Sequence, residues 1–197
     1  ARDPVEAVFV VDCSGSMGGT SIVEARRALL LCLQSLMPGD RFNIVRFGST
    51  HQRLFPESAA YGDRTLARGR EFAGAMEADL GGTEILRPLT EVWESPPCGD
   101  LPRRIVLLTD GQVANEAEVI AGARKHRATS TVFAFGIGAG VSEHLVRGVA
   151  RASKGAAEFV HPGETIEEKV LRHFERIAAA SSDLSVSWEG LEVEDVT

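Results

Sequence analysis

Asp12, Ser14 and Ser16 stand at alternate positions in the run Asp12-Cys13-Ser14-Gly15-Ser16-Met17. The run follows the apolar stretch Val8-Phe9-Val10-Val11 and precedes a helical pattern. One carboxylate and two hydroxyls therefore leave the end of a buried strand and enter a tight loop. Alternate side chains of an extended or turning segment point the same way, so these oxygens can converge. Converging hard oxygens suit a hard divalent cation such as magnesium, which prefers oxygen ligands in near-octahedral geometry and keeps several waters. Three ligands from one loop leave the shell incomplete, and the remainder must come from elsewhere in the chain.

Two other segments offer oxygens. Asp110 follows the apolar run Ile105-Val106-Leu107-Leu108 and Thr109, and Gly111 comes next. Thr83 follows Gly81-Gly82, where the absence of side chains lets a hydroxyl approach closely. In open α/β sheets, ligands bind in the crevice beyond the carboxyl ends of the strands. Asp12, Ser14, Ser16, Thr83 and Asp110 are therefore the candidate metal ligands: two carboxylates and three hydroxyls, with water completing the shell. A single Asp or Ser at a strand end ordinarily just caps a helix. The joint placement of all five sets this group apart.

The elements that must carry these residues alternate along the chain. Strand patterns fall over 6–11, 41–47, 52–55, 104–109, 131–137 and 157–160. Helical patterns fall over 20–36, 63–78, 85–94, 116–126, 142–152 and 165–180. Pro88 marks a weak break in the third helix. Ser142 is expected to cap the fifth, and Thr165 with Glu168 forms a capping box for the sixth. The turn Gly48-Ser49-Thr50 makes 41–47 and 52–55 an antiparallel pair at a sheet edge. This order predicts an α/β fold: a doubly wound, mostly parallel central sheet with one antiparallel edge strand and helices on both faces. Residues 1–182 form the domain, and 183–197 begin a β-rich segment or a C-terminal hairpin.

Composition narrows the function. The 197 residues are 44% hydrophobic and 25% charged, as in an ordinary globular domain. A formal net charge of -7 disfavours nucleic acid and anionic membrane as partners. No apolar run reaches the ~18 residues of a membrane span. The abrupt Ala1-Arg2-Asp3-Pro4 lead-in carries no signal peptide and is expected of an excised domain. Cys13, Cys32 and Cys98 have no CxxC spacing, which argues against zinc and for reduced thiols, mildly favouring an intracellular location.

Asp12-x-Ser14-x-Ser16, the separate Thr83 and Asp110 after a strand together resemble the metal-ion-dependent adhesion site (MIDAS) of von Willebrand factor A (VWA) domains. The resemblance covers residues 5–180. The subgroup paired with an inter-alpha-trypsin inhibitor (VIT) domain is most similar, on Gly81-Gly82-Thr83, Leu108-Thr109-Asp110-Gly111, Phe42-Asn43-Ile44-Val45-Arg46-Phe47-Gly48 and Leu54-Phe55-Pro56-Glu57-Ser58. The resemblance implies a Rossmann-like VWA fold. It implies that Ser14, Ser16 and Thr83 offer hydroxyls to Mg2+ (or Mn2+ or Ca2+), with Asp12 and Asp110 bound directly or through water. It further implies that a protein partner supplies an acidic side chain to complete the coordination, and that flanking domains of a longer chain accompany this one.

Other readings are weaker. A structural scaffold with a stabilising or vestigial metal site is the main alternative. A magnesium-dependent phosphotransferase of the haloacid-dehalogenase type needs a second carboxylate where Ser14 stands, and no lysine is suitably placed. Gly136-Ile137-Gly138-Ala139-Gly140 lacks dinucleotide-loop spacing. No pair of histidines makes a metal or catalytic motif. Arg26-Arg27 and Arg103-Arg104 are expected to face solvent, His126 to lie on a helix surface, and Met17 to pack beneath the metal loop. Glu84 adds a carboxylate beside Thr83.

Overall fold

Every residue of β1, Glu6–Asp12, is buried. Its odd-numbered side chains Ala7, Phe9 and Val11 enter one core, and Val8 and Val10 enter another. Successive side chains of a strand point to opposite faces, so a strand covered on both sides reads as one continuous apolar run.

The structure is a computed structural model and describes residues 2–161, 164, 169 and 170. The elements in order are β1, a 3-10 turn at Gly15–Met17, α1 (Thr20–Gln34), β2 (Arg41–Phe47), β3 (His51–Arg53), β4 (Ala59–Ala60), α2 (Asp63–Gly74), α3 (Leu86–Glu94), β5 (Arg103–Thr109), α4 (Glu116–Lys125), β6 (Ser130–Ile137), α5 (Glu143–Ala152) and β7 (Ala157–Val160). Among the described residues the sheet order is β3-β2-β1-β5-β6-β7, with β4 also paired to β2. The β1–β2, β1–β5, β5–β6 and β6–β7 pairs are all parallel. Helices α1 and α2 cover the face carrying Phe9, Phe42, Val106 and Phe133. Helices α3, α4 and α5 cover the face carrying Val10, Val45, Leu107 and Val132. The doubly wound, mostly parallel α/β fold expected from the sequence is the one observed.

The differences have physical causes. Two short strands, not one, run antiparallel to β2 at its edge. The pattern over 52–55 is split because the Asn43 side chain takes the place of a ladder partner: its Oδ1 accepts from Phe55 N at 3.1 Å and its Nδ2 donates to Phe55 O at 2.9 Å. Phe55 thereby enters the core, edge-on to Phe42. Helix α2 stops at Gly74 instead of 78, and Met76 turns fully inward. Pro88 does not break α3, because it falls in the first turn, where backbone N–H groups lack intrahelical acceptors anyway. The Ser142 cap is observed, with its Oγ accepting from Leu145 N.

The arginine expectation was wrong for one pair. Arg103 and Arg104 are buried. Arg103 Nε donates to Glu6 Oε2 at 2.8 Å, and its other nitrogens donate to the carbonyls of Val92, Ser95 and Pro96. An apolar strand drew in two cations because a buried carboxylate and helix-end carbonyls awaited one of them, while Arg104 Nη1 reaches Thr131 Oγ1. His126 is half-buried, stacked on Trp93 with ring centroids 5.4 Å apart. The expected capping box at Thr165 and Glu168 and the β-rich segment at 183–197 lie outside the described residues.

Candidate metal centre

The carboxyl ends of β1 and β5 lie side by side, since Val11 pairs with Leu108 in the parallel ladder. Asp12 therefore emerges next to Thr109, and Asp110 begins the loop beyond. Asp12 is fully buried. Its Oδ1 accepts from Ser14 N at 2.9 Å, and its Oδ2 accepts from the Thr109 hydroxyl at 2.7 Å. The first bond folds the chain back on itself, as short polar side chains do in turns. Ser14 and Ser16 are thereby turned the same way, with their hydroxyl oxygens 3.1 Å apart. Met17 closes the turn from beneath, fully buried against the α1 side of the core, as expected.

The Thr83 loop is fastened to this turn by its backbone. Gly15 N donates to Gly81 O at 2.7 Å, and Leu80 N donates to Cys13 O at 3.0 Å. The end of β2 holds the same loop from the other side: Ser49 N donates to Leu80 O, Glu84 N to Gly48 O, and Gly82 N to Ser49 Oγ. Leu80 crowds Gly48 so closely that a Cβ at 48 would lie 2.4 Å from Leu80 Cβ and 2.5 Å from Leu80 O. Only glycine fits there.

The Asp110 loop is set by Thr109 and Gly111. Gly111 has φ +69°, a conformation that side-chain-bearing residues rarely adopt, and its N–H donates to Thr109 Oγ1 at 2.8 Å. Gln112 N reaches Asp110 Oδ1 at 3.3 Å. Ser142 N donates to Asp110 O, tying the loop to the start of α5.

All five expected residues thus sit on three loops at one end of the sheet. Backbone bonds join the Asp12 loop to the Thr83 loop, and the Thr109 hydroxyl joins it to the Asp110 loop. Ser16 is exposed and Thr83 half-buried, while Asp12, Ser14 and Asp110 are buried. Burial pushes the Asp12 carboxyl up, hydrogen bonds from Ser14 and Thr109 draw it back, and the nearby Asp110 charge adds to the rise. Neither carboxylate has an ion pair to Lys, Arg or His among the described residues. Two neighbouring carboxylates with no cationic side chain, faced by hydroxyls, fit a hard divalent cation. Each Asp12 oxygen retains a free lone pair for water or metal. No group of three or more His, Cys, Asp or Glu that could hold a metal occurs among the described residues, and the candidate set here is two carboxylates with three hydroxyls.

Sequence reasoning missed Thr109, Gly48 and Cys13 O as parts of this site. Thr109 was legible as the one hydroxyl in an otherwise aliphatic strand end. Nothing in the sequence marked the Gly48–Leu80 approach. A larger cavity of about 630 Å³ lies at the other end of the sheet, between Glu6, Asn43, Ser58 and Cys98. The carboxylate of Glu6 and the amide of Asn43 are already satisfied there by protein partners.

Comparisons with known proteins identify the family and the fold. The family model described as von Willebrand factor type A domain matches residues 5–159. The human von Willebrand factor A domain-containing protein 5B1 is 39% identical over 184 residues, covering 93% of this chain and 15% of that protein. A solved von Willebrand factor type A structure from Catenulispora acidiphila superposes with TM-score 0.75 at 21% identity, covering 91% of this chain and 43% of that one. The proximal thread matrix protein 1 of the mussel byssus, solved with a zinc-occupied MIDAS motif, superposes with TM-score 0.67 at 14% identity, covering 91% and 46% of the two chains. The chain spans between 15% and 25% of the length of the curated relatives it matches. Fold, matched region and sequence identity agree: the chain belongs to the von Willebrand factor type A domain family.

Proposed function

We propose that this domain is a divalent-metal-dependent protein-interaction module without catalytic activity, built on a MIDAS. Asp12, Ser14, Ser16, Thr83 and Asp110 hold Mg2+, or Mn2+ or Ca2+ in its place. The observation that carries the reading is the buried Asp12 carboxylate, fixed between Ser14 N and the Thr109 hydroxyl beside two converging serine hydroxyls. When bound, the cation supplies an open coordination position that an acidic side chain of a partner protein can fill. Ser14 and Ser16 present neutral oxygens. Asp12 holds them in place through the turn, and Asp12 and Asp110 balance the charge. The three hydroxyls are neutral and weakly donating, so the open coordination position is left for a stronger carboxylate ligand.

Two further facts support the reading. Domains of this family generally mediate protein interactions. The mussel protein has a zinc-occupied MIDAS in the same fold. We read the parent protein as pairing this domain with a VIT domain. The scaffold alternative draws on one observation: the three loops are already laced by hydrogen bonds that need no metal.

Calorimetric titration with magnesium in metal-free buffer, on the wild type and Asp110→Asn, tests the site. Binding to the wild type that the variant loses supports the module. Equal binding to both, or binding to neither with calcium and manganese also silent, favours the scaffold.

A further inference from the structure

A cleft of about 200 Å³ adjoins the Thr83 loop, lined by Gly48, Ser49, Thr50, His51, Glu84 and Arg87. Its walls are held at fixed spacing, because Glu84 N donates to Gly48 O at 2.9 Å and Gly82 N to Ser49 Oγ at 2.8 Å. The charges along it are unevenly paired. At the outer end, Glu91 takes His51 Nε2 at 2.8 Å, Arg87 Nε at 3.5 Å and Arg53 at 3.6 Å. Both Arg87 and His51 thus share one carboxylate. At the inner end, Glu84 is exposed, and no hydrogen bond or ion pair engages its carboxylate among the described residues. The cleft therefore runs from the Glu91 cluster, where two arginines and a histidine share one carboxylate, to the unpaired carboxylate of Glu84 beside Thr83.

Resting on the metal-dependent reading above, we propose that this cleft selects the partner's sequence: it takes a lysine or arginine adjacent to the carboxylate that completes the metal site. Neighbouring Cα atoms lie 3.8 Å apart. Glu84 directly follows Thr83, so a residue flanking a carboxylate bound at Thr83 comes within reach of Glu84 with its long, flexible stem. A flanking acidic residue meets Glu84 as a like charge and is rejected, which is how an interface gains specificity by repulsion. The pair is exposed, so it discriminates without dominating affinity and weakens as salt rises.

The test uses the 197-residue chain and immobilised glycine-rich peptides carrying one aspartate flanked by lysine, glutamine or glutamate, with magnesium or with EDTA. Magnesium-dependent capture should favour the lysine peptide over the glutamine peptide by ~2–5-fold, the range of an exposed ion pair. Glu84→Gln should abolish that preference, and Glu84→Lys should shift it to the glutamate peptide, both at unchanged melting temperature. Magnesium-dependent capture with no flank preference, or a preference that persists in Glu84→Gln, overturns the inference and leaves the metal-dependent reading standing. No capture of any peptide, with magnesium or without, overturns both.

Discussion

Thr109 donates its hydroxyl to the Asp12 carboxylate at 2.7 Å, and the same oxygen accepts from Gly111 N at 2.8 Å. One side chain therefore fixes the Asp12 carboxylate at the end of β1 and the backbone of the loop that carries Asp110. Thr109→Val keeps the shape and removes the hydroxyl. It leaves Asp12 Oδ2 without its donor and Gly111 N without an acceptor. Unfolding in urea should show a loss of about 1–3 kcal/mol, the usual cost of stranding a buried polar group. Magnesium affinity should fall with it, and Thr109→Ser should restore both.

Gly48 is the second control point. A methyl group there collides with the backbone and side chain of Leu80. Gly48→Ala should push the Thr83 loop away from β2 and cost about 1–3 kcal/mol through overpacking. Because that loop is bonded to Gly15 N, the displacement should reach the metal site. Calorimetry should show weakened magnesium binding although no ligand has changed. Retained affinity would mean that the loop adjusts independently of the Asp12 turn.

At the other end of the sheet, Arg103 and Glu6 form a buried pair at 2.8 Å. Arg103→Ala strands Glu6 without its cation and removes the arginine donor from three carbonyls at the end of α3 and the loop that follows it, of which Val92 O keeps the Ser95 hydroxyl. Chemical denaturation should reveal a loss of about 3–5 kcal/mol, the range for breaking a buried pair from one side. Magnesium binding by the folded fraction should be unaltered, since the pair and the metal centre lie at opposite ends of β1.

The cysteines should react in a defined order. Burial pushes the Cys13 thiol up to about 12 and raises Cys32 as well. Cys98 is partly exposed and raised by partial burial and by the adjacent Glu6 carboxylate. Iodoacetamide should modify Cys98 first and reach Cys13 and Cys32 only on unfolding. The shift also sets a pH dependence. Unfolded, the Cys13 thiol ionises near 9.0, whereas folded it holds its proton to about 12. Its contribution is therefore fully present below 9.0 and lost as pH rises through that window. Cys13→Ala should flatten the alkaline decline in melting temperature.

The clustering of the candidate site residues was readable because the segments that carry them stand where a change of pattern announces them. Asp12 and Asp110 end aliphatic runs, and Thr83 follows two glycines. The periodicity of β1, β5 and β6 reported strands covered on both faces. The fine structure of the β2 edge was not readable, because the Asn43 side chain there imitates a neighbouring strand's backbone. The depth of Arg103 was equally hidden. An arginine in sequence carries its charge openly, and only the fold shows that Glu6 and three carbonyls lie within its reach.

The hydrogen bond from Gly15 N to Gly81 O joins loops far apart in the chain, and the Asp110 loop lies further along still. A centre drawn from three such distant segments has no local precursor. Long-range closures of this kind form only once the intervening chain is in place. Under the proposed function, a cation binds only a chain that has completed its sheet and acts on folding by trapping the finished product. Magnesium binding would then serve as a readout of conformational completeness, silent toward partly folded chains that share the native secondary structure.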